Sequence, residues 1–400
     1  MIPVAEARGR ILDGVAPLPA EVVGIGQALG RVLAADVAAR LTQPPADVSA
    51  MDGWAVRAAD LDPLPASLRR IGEAPAGHPF PGTVGPGEAV RIFTGAVMPA
   101  GADTVVLQED CDEAGGAVTV REGGGRGRWV RPAGLDFRTG EVGLVAGRRL
   151  TVRDVALAAA MNVPWLTVRR RPRVAILATG DEVVMPGDPV GPGCIVSSNG
   201  LALAALVERE GGLPVTLGIA PDDPAALAGH LAAAAGCDLL VTTGGASVGE
   251  HDLMRQALAA PGTRLDFWKV AMRPGKPLLS GRVGDVPVLG LPGNPVSTLV
   301  CALVFLRPLL RLLQGLPPDD GPAPLARLAA PLAANDRRQD YLRAGLERAA
   351  DGSLLAGAFP KQDSSMLSAL AAADCLIVRP PLAPAAPAGT EVEIIPLDGF

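Results

Sequence analysis

Between residues 173 and 313, short apolar runs alternate with longer segments in which apolar residues recur every three or four positions. The runs predict β-strands, and the periodic segments predict α-helices. Alternating units of this length indicate a parallel sheet with helices on both faces. The predicted strands are Val174–Ala178, Pro214–Ile219, Asp238–Thr242 and Val286–Leu291, and the predicted helices are Gly200–Glu210, Pro224–Ala235, Asp252–Leu258 and Pro295–Leu313.

The part of the chain before residue 173 has a different pattern. Residues 3–14, 26–39 and 152–163 have helical periodicity. From Gln43 to about Gly147 the sequence is rich in glycine and proline, which predicts a strand-and-turn domain with little helix. Its β-like runs are Glu88–Phe93, Thr104–Leu107 and Ala117–Val120.

The C-terminal part follows a proline-rich linker at Leu316–Pro324. Runs at Cys375–Val378 and Val392–Ile395 predict a small β domain there. We therefore expect a multidomain α/β and β protein: a central αβα parallel-sheet domain, a β-rich strand-and-turn domain, a small helical linker domain and a C-terminal β-barrel-like domain. The expected boundaries are 1–21 and 169–320 for the αβα domain, 22–42 and 142–168 for the linker domain, 43–141 for the β-rich domain and 325–400 for the C-terminal domain.

Composition excludes several classes of protein. The 400 residues carry a net charge of −6, so the basic footprint of a nucleic-acid-binding protein is missing. The most apolar stretch, Leu299–Leu313, is interrupted by Arg307 and Pro308, and the amino terminus lacks the pattern of a signal peptide. The five cysteines are scattered singly, which predicts neither a disulfide framework nor a structural zinc site. We expect a cytoplasmic protein that binds no nucleic acid and no membrane.

Four loops suited to a phosphorylated ligand each follow a predicted strand of the parallel sheet. In an open α/β sheet the ligand crevice lies at the carboxyl ends of the strands. Gly244 and Gly245 allow the backbone to approach a phosphate closely, while Asn294 and Pro295 predict a helix whose N-terminal N–H groups face the same crevice. The four loops are Thr179-Gly180-Asp181-Glu182, Asp222-Asp223, Thr243-Gly244-Gly245-Ala246-Ser247 and Pro292-Gly293-Asn294-Pro295.

Lysine usage adds to this prediction. The chain contains only Lys269, Lys276 and Lys361, and arginine supplies every other cation. Two of the three lysines lie close together, between Phe267 and Pro277. A lysine ammonium is a compact point charge, which suits a tetrahedral oxyanion such as phosphate.

Four carboxylates far apart in the sequence are candidate metal ligands. They are Asp52, Glu182, Asp222 and Asp252. Spacing alone does not show that they converge, and each could by itself be a surface or capping residue. If three or four converge, oxygen ligation of Mg²⁺ beside phosphates is the natural chemistry.

Six motifs, in this order along the chain, resemble those of the molybdopterin molybdenumtransferases of the MoeA type, which include the C-terminal domain of gephyrin. The resemblance extends from near the N-terminus to the C-terminal domain. The motifs are Ser49–Val56, Ile92–Ala96 with Pro99–Asp103, Thr179–Glu182, Thr243–Gly249, Arg273–Pro277 and Gly290–Ser297.

The resemblance implies an elongated homodimer of four-domain subunits, whose site is shared by the strand-and-turn domain of one subunit and the αβα molybdopterin-binding domain of the other. It implies Mg²⁺-dependent insertion of molybdate into adenylyl-molybdopterin, with release of AMP. It also implies contacts with molybdopterin adenylyltransferase and with cofactor-delivery proteins. Two alternatives stay open: the molybdopterin adenylyltransferase itself, whose fold the αβα domain resembles, and a non-enzymatic gephyrin-like scaffold.

Site residues also follow from the resemblance. Catalytic roles fall on Asp52, Thr94, Glu182, Asp222, Asp252, Lys269, Arg273 and Lys276, and the metal would be held by Glu182, Asp222 and Asp252. Substrate-binding roles fall on Thr179, Gly180, Gly244, Gly245, Ser247, Pro292, Gly293, Asn294, Pro295, Asp136 and Ser365. Either Asp222 or its neighbour Asp223 could face the site.

The sequence departs from the family pattern at three positions. Trp54 stands where the family usually has tyrosine, which keeps an aromatic ring and loses the hydroxyl. Arg273 stands where lysine is usual, which keeps the charge and changes its shape. His251 precedes Asp252 where other residues are common. None of these changes removes a charge that the implied chemistry needs.

Overall fold

The computed structural model describes residues 1–244, 257 and 263–398. Most of the helix predicted at Asp252–Leu258 therefore lies outside the described residues, while the finer domain boundaries expected from the sequence remain a prediction. The chain forms two compact units. The first comprises Met1–Glu21, Gly30–Val32 and Arg169–Phe400, and the second comprises Val22–Leu29 and Leu33–Val168.

Short strands joined by turns make up most of the second unit. After helix α1 (Val4–Leu12) and strand β1 (Ala20–Gly24), the strands in chain order are β2 (Val37–Ala38), β3 (Val48–Ser49), β4 (Gly53–Val56), β5 (Ala66–Ala74), β6 (Glu88–Ile92), β7 (Thr104–Leu107), β8 (Cys111–Ala114), β9 (Ala117–Val120), β10 (Val130–Arg131), β11 (Val142–Leu144) and β12 (Trp165–Arg169). Six of them form a mixed sheet in the order β7-β4-β6-β5-β9-β8. The three β-like runs predicted in this part of the chain are β6, β7 and β9, so these predictions are confirmed.

The helical predictions in the linker segments have mixed outcomes. The one at residues 152–163 is confirmed by helix α2 (Val152–Ala160). The one at residues 26–39 is wrong, because this segment contains only the end of a 3₁₀ turn and the short strand β2. Gly30 has a φ of +75°, which a right-handed helix does not accommodate. Leu29 is 58% exposed while Leu33 is buried, so the apolar spacing reflects an irregular segment packed on a core.

In the first unit, strands and helices alternate as predicted. The strands are β13 (Arg173–Thr179), β14 (Val183–Val184), β15 (Ile195–Val196), β16 (Leu213–Ala220), β17 (Leu239–Thr243), β18 (Thr263–Trp268), β19 (Met272–Arg273), β20 (Leu279–Val283) and β21 (Val286–Leu291). Among the described residues between 173 and 313, the helices are α3 (Asn199–Arg209), α4 (Pro224–Ala233), α5 (Pro295–Cys301) and α6 (Arg307–Leu313). The central sheet has the order β16-β13-β17-β21-β20-β18, in which the first four strands are parallel and β20 is antiparallel to both neighbours.

Helices cover both faces of this sheet. Successive side chains of a strand point to opposite faces. Accordingly, Val174 and Ile176 of β13 lie in the core that α1, α3, α5 and α6 complete, whereas Ala175 and Leu177 lie in the core that α4 completes. The predicted αβα arrangement is therefore confirmed.

The helix predicted at Pro295–Leu313 is continuous but irregular. Its central turn, Ala302–Leu306, is π-helical, and the Arg307 N–H donates to the Ala302 carbonyl. Pro308 has no N–H to donate, which accounts for a local change of hydrogen-bond spacing. The 19 residues are long and apolar enough to cross a membrane, yet 89% of this stretch is buried inside the protein. Such burial is typical of a core helix.

The C-terminal β domain is a closed barrel. It consists of β22 (Leu325–Leu328), β23 (Gln339–Arg348), β24 (Leu354–Ala358), β25 (Cys375–Arg379) and β26 (Glu391–Pro396), with helix α7 (Leu367–Ala371) between β24 and β25. The five strands follow the order β23-β24-β22-β26-β25, and β25 pairs again with β23, which closes the sheet. Strand β19 of the αβα domain adds to β23 in parallel. The predicted barrel-like domain is confirmed.

Candidate active site

The structure places the beginnings of the four predicted loops at one edge of the central sheet. Strands β13 and β16 end together, because Thr179 pairs with Ala220. Strand β17 ends level with β21, because Thr243 pairs with Leu291. We call this edge, where the four parallel strands end, the carboxyl edge. It is the side of an open α/β sheet on which ligands bind.

Two glycines allow the loops at the carboxyl edge to approach each other closely. Gly244 has a φ of +90°, and a Cβ atom placed on it would lie 2.4 Å from the Thr179 carbonyl oxygen. Gly180 has a φ of +133°. The Thr179 hydroxyl is buried in the same place and has no hydrogen-bond partner among the described residues. A buried hydroxyl without a partner, beside two glycine turns, is suited to donate to an oxygen-rich ligand.

Asn199 ties two of these loops together, and the sequence did not single it out. Its Nδ2 donates to the Thr243 Oγ1 atom at 2.9 Å and to the Gly293 carbonyl at 2.7 Å. The Thr243 hydroxyl in turn donates to the Pro292 carbonyl at 3.0 Å. A polar run, Ser197-Ser198-Asn199-Gly200, at a helix start is the signal in the sequence. The importance of Asn199 depends on tertiary contacts, which the sequence of this run does not show.

The two acidic loops are also joined at the carboxyl edge. The Asp222 N–H donates to Asp181 Oδ1 at 2.9 Å. Asp223 caps helix α4, because its Oδ2 accepts from the Ala226 N–H at 2.7 Å. Asp223 thus has a structural role at the start of α4. The Glu182 side chain folds back towards Gly180. A Cβ atom added to Gly180 would lie 2.6 Å from Glu182 Oε2.

Carboxylate oxygens of this kind fit a hard cation such as Mg²⁺. Within the part of the chain that the structure describes, no group of three or more His, Cys, Asp or Glu residues is placed to hold a metal ion. The third expected ligand, Asp252, lies outside that part, as do Gly245 and Ser247. The magnesium site therefore remains a proposal.

The lysines lie on a connection beside the same edge. We call residues 269–278, between β18 and β20, the lysine hairpin. Because Leu279 of β20 pairs with Gly290 of β21, the hairpin leaves the sheet where β21 ends. Its two arms are bonded to each other, with the Lys269 N–H donating to Leu278 and the Val270 N–H to Lys276, both at 3.0 Å. Two cations are thereby held next to the loops of the carboxyl edge.

Arg273, the third expected cation of the hairpin, faces protein carboxylates. Its guanidinium forms an ion pair with Asp340, whose side chain is only 4% exposed, and lies 3.9 Å from Asp336. Hydrogen bonds from Arg338 lower the pKa of Asp336 to about 2, so this carboxylate is charged. A planar fork can reach two carboxylates where a lysine would reach one. The exchange of lysine for arginine at this position therefore has a structural explanation.

A loop of the barrel contacts the beginning of helix α5. We call residues 361–366 the barrel loop. Asn294 occupies the N-cap position of α5, as predicted, and Pro295 the first turn. The Asn294 side chain does not cap the helix, because its Nδ2 donates instead to the Ser364 hydroxyl at 2.8 Å. Ser365, expected to bind substrate, donates from its hydroxyl to Asp363 at 2.6 Å, which contributes most to a lowered pKa of Asp363.

In the second unit, Asp52 and Thr94 meet at the ends of adjacent strands. Asp52 precedes β4 and Thr94 follows β6, and Gly53 pairs with Ile92 between these strands. The Thr94 N–H and hydroxyl donate to Asp52 Oδ1 at 2.7 and 2.8 Å. Both bonds lower the pKa of the exposed Asp52 carboxyl, and the bond from the backbone N–H has the larger effect. Asp52 is therefore held as an oriented carboxylate.

Gly53 and Trp54, which follow Asp52 in the motif Ser49–Val56, are both required by the packing of the sheet. A Cβ on Gly53 would lie 1.9 Å from the Val106 carbonyl oxygen, so only glycine fits there. Trp54 is 2% exposed and packs in the core of the sheet, with the Arg91 guanidinium 5.4 Å from its ring. The Trp54 indole is therefore part of the hydrophobic core, where a tyrosine hydroxyl is not needed. Asp136 is exposed, and no described contact joins it to Asp52.

We expect Thr94→Val to raise the pKa of Asp52. The substitution removes the hydroxyl and keeps the backbone N–H, so the pKa should move part of the way back towards 3.8. Carboxyl ¹³C shifts measured in an NMR titration would report the change. Thr94→Ser keeps both donors and should titrate like the wild type. A Thr94→Val curve that matches the wild type would mean that the hydroxyl does not stabilise the carboxylate.

The carboxyl edge defines a class of protein. Glycine-lined turns, a helix N-terminus and paired lysines at the end of a parallel sheet are typical of proteins that bind phosphorylated small molecules. Three family models match the chain: the MoeA N-terminal region (domain I and II) over residues 2–162, a probable molybdopterin binding domain over 175–312 and the MoeA C-terminal region (domain IV) over 325–397. The chain belongs to the MoeA family of molybdopterin molybdenumtransferases.

Similar proteins cover nearly all of the chain. The molybdopterin molybdenumtransferase 2 of Mycobacterium tuberculosis is 37% identical over 382 residues, which is 93% of this chain and 94% of that protein. The molybdopterin molybdenumtransferase of a Nostoc species is 43% identical over 304 residues, 74% of this chain and 70% of that protein. The crystal structure of the molybdopterin biosynthesis MoeA protein of Pyrococcus horikoshii covers 100% of both chains, at 31% identity and a TM-score of 0.86. The resemblance stated from the motifs is confirmed.

Proposed function

We propose that this protein inserts molybdate into adenylyl-molybdopterin in a Mg²⁺-dependent reaction that releases AMP. The observation that supports it most directly is the meeting of glycine-lined loops, carboxylates and the lysine hairpin at the carboxyl edge. The match of residues 2–162 to the MoeA N-terminal region also supports this function over the adenylyltransferase, which would not need the strand-and-turn domain.

The residues of the carboxyl edge have distinct tasks in this proposal. The Thr179 hydroxyl and the backbone of Gly244 bind phosphate oxygens of the substrate. Lys269 and Lys276 offset the negative charge of phosphate and molybdate, and this stabilisation grows where charge develops in the reaction. Glu182, Asp222 and Asp252 would hold Mg²⁺, which when bound polarises the phosphoanhydride. The sulfur ligands of molybdenum come from the substrate, so no cysteine cluster is required.

The proposal includes the cellular setting. The enzyme works in the cytoplasm as a homodimer in which Asp52 and Thr94 of one subunit serve the site of the other. It takes its substrate from molybdopterin adenylyltransferase and passes its product to cofactor-delivery proteins. The domain boundaries stated from the sequence belong to the same proposal.

Mass spectrometry of the reaction products tests the function. Purified full-length protein should convert adenylyl-molybdopterin, molybdate and Mg²⁺ into AMP and the molybdenum-loaded pterin. Omitting molybdate, or chelating Mg²⁺, should abolish both products. AMP release that is unchanged without protein or without molybdate would refute the assignment. Formation of adenylyl-molybdopterin from ATP and molybdopterin would instead support the adenylyltransferase.

A further inference from the structure

The side chain of Lys269 lies on the face of an aromatic ring. Its Nζ atom is 3.5 Å from the centroid of the Trp268 ring, well inside the range of about 6 Å within which a cation and an aromatic face attract each other. Trp268 is the last residue of β18, and its half-buried ring packs against the core that α4 completes. Because Trp268 pairs with Leu279, and Leu279 with Gly290, Trp268 lies where β21 ends, at the carboxyl edge.

The backbone of Lys269 is fixed as well as its side chain. Lys269 has a φ of +72°, a left-handed conformation that is uncommon for residues other than glycine. Two hydrogen bonds hold it there: the Lys269 N–H donates to the Leu278 carbonyl at 3.0 Å, and the Lys269 carbonyl accepts from the Ile2 N–H at 3.2 Å. Ile2 itself packs against the core that α1, α3, α5 and α6 complete. An unfavourable backbone conformation persists only where the surrounding structure imposes it, and such positions cluster at functional sites.

The ring binds the ammonium group without neutralising it. Among the described residues no carboxylate forms an ion pair with Lys269, whereas Arg273 of the same hairpin is paired with Asp340. A carboxylate partner would cancel the charge of the lysine, but an aromatic face carries no net charge and covers only one side of the ammonium. The N–H groups on the other side remain able to donate to an anion. Lys269 therefore keeps the charge and the donors that bind a phosphate or molybdate oxygen.

We propose that Trp268 is a positioning residue of the active site. Its ring holds the Lys269 ammonium in one place beside the carboxyl edge and leaves the charge for the anionic substrate. A mobile lysine side chain loses conformational freedom when it binds a ligand, and a side chain that is already held loses less. This inference rests on the proposed function for the identity of the substrate, but not for the contact between the ring and the ammonium.

NMR of the lysine side chains tests the contact in the full-length protein. The chain has only three lysines, so protein labelled with ¹³C at lysine Cε gives three ε-CH₂ signals, and Lys269→Arg assigns one of them by its loss. The ring current of Trp268 should move the Lys269 signal upfield of the other two, because neither Lys276 nor Lys361 contacts a ring among the described residues. In Trp268→Leu this shift should disappear, while Trp268→Phe should keep part of it. A Lys269 signal that is the same in Trp268→Leu and in the wild type would overturn the proposal.

Binding of inorganic pyrophosphate, a probe that carries the phosphoanhydride group, tests the use of the held charge without turnover. The Lys269 signal should respond to pyrophosphate, and the dissociation constant should rise about 3- to 30-fold in Trp268→Leu and less in Trp268→Phe. Trp165→Leu is the matched control: Trp165 lies on β12 and is 62% exposed, so this variant should bind pyrophosphate like the wild type. A Lys269 signal that does not respond to pyrophosphate, or equal affinity in Trp268→Leu and the wild type, would also overturn the proposal.

Steady-state kinetics separate positioning from a role in folding alone. In Trp268→Leu the KM for adenylyl-molybdopterin should rise by a similar factor while kcat changes much less, and Trp268→Phe serves if the leucine variant fails to fold. A purely structural role of Trp268 would lower the midpoint of thermal unfolding and leave KM unchanged, and that result would contradict the proposal. If the wild type shows no transfer at all, the proposed function fails, and the NMR signals still decide whether Trp268 holds Lys269.

Discussion

Lys276→Ala and Lys269→Ala should each lower turnover or substrate affinity by about 10- to 1000-fold while the protein stays folded. Each substitution removes a cation from a site that we propose to hold several negative charges at once. Both side chains extend from the lysine hairpin, whose backbone bonds do not depend on the side chains. Steady-state kinetics of AMP release, with thermal unfolding as the check on folding, would measure the effect.

The control for these variants lies on the same sheet. Arg282→Ala changes a cation near the far end of β20, four residues beyond the hairpin, so it should keep wild-type kinetics. Lys276→Arg restores the charge as a planar fork and should recover only part of the activity, because a compact ammonium is replaced. Wild-type turnover in both alanine variants would show that the two lysines form a solvated surface.

Asp52→Ala and Lys276→Ala should each be nearly inactive alone and partly active when mixed. In the proposed homodimer these residues come from different subunits at each site. If subunits re-pair at random, about half of the dimers are heterodimers, and each contains one doubly substituted and one intact site. About a quarter of all sites should then recover, and the rate of AMP release would measure this fraction.

A second mixture provides the comparison for this experiment. Lys269→Ala and Lys276→Ala lie on the same hairpin, so every site of their heterodimer carries one substitution and no intact site forms. Native mass spectrometry would confirm that subunits exchange in both mixtures. If the Asp52→Ala and Lys276→Ala mixture stays inactive despite exchange, the whole site belongs to a single chain.

Much of the fold follows from local sequence patterns. Strands such as β13, β17 and β21 are apolar runs bounded by glycine, proline or polar turns, and their positions were predictable to within about two residues. The segment at residues 26–39 has the apolar spacing of a helix, but Gly30 adopts a positive φ that a right-handed helix does not contain. The antiparallel strands β18 and β20 were missed because their sequences carry charged residues among the apolar ones.

The candidate site was predictable where its residues directly follow strands. The loops at Thr179, Thr243 and Pro292 could be assigned to one edge because parallel strands end on the same side. Asn199 and the ion pair between Arg273 and Asp340 could not be found in this way. Their roles depend on which loops touch in three dimensions, as the bonds from Asn199 to Thr243 and Gly293 show.

The scarcity of lysine has a practical consequence for chemical modification of this protein. Reagents that acylate primary amines, such as succinimidyl esters, have three lysine side chains to attack, and all three lie on segments at the carboxyl edge. Random amine coupling to a surface or a dye would therefore concentrate on the region of the proposed site. The same chemistry, used at low reagent concentration and read out by peptide mapping, would act as a footprint of that region in the unaltered protein.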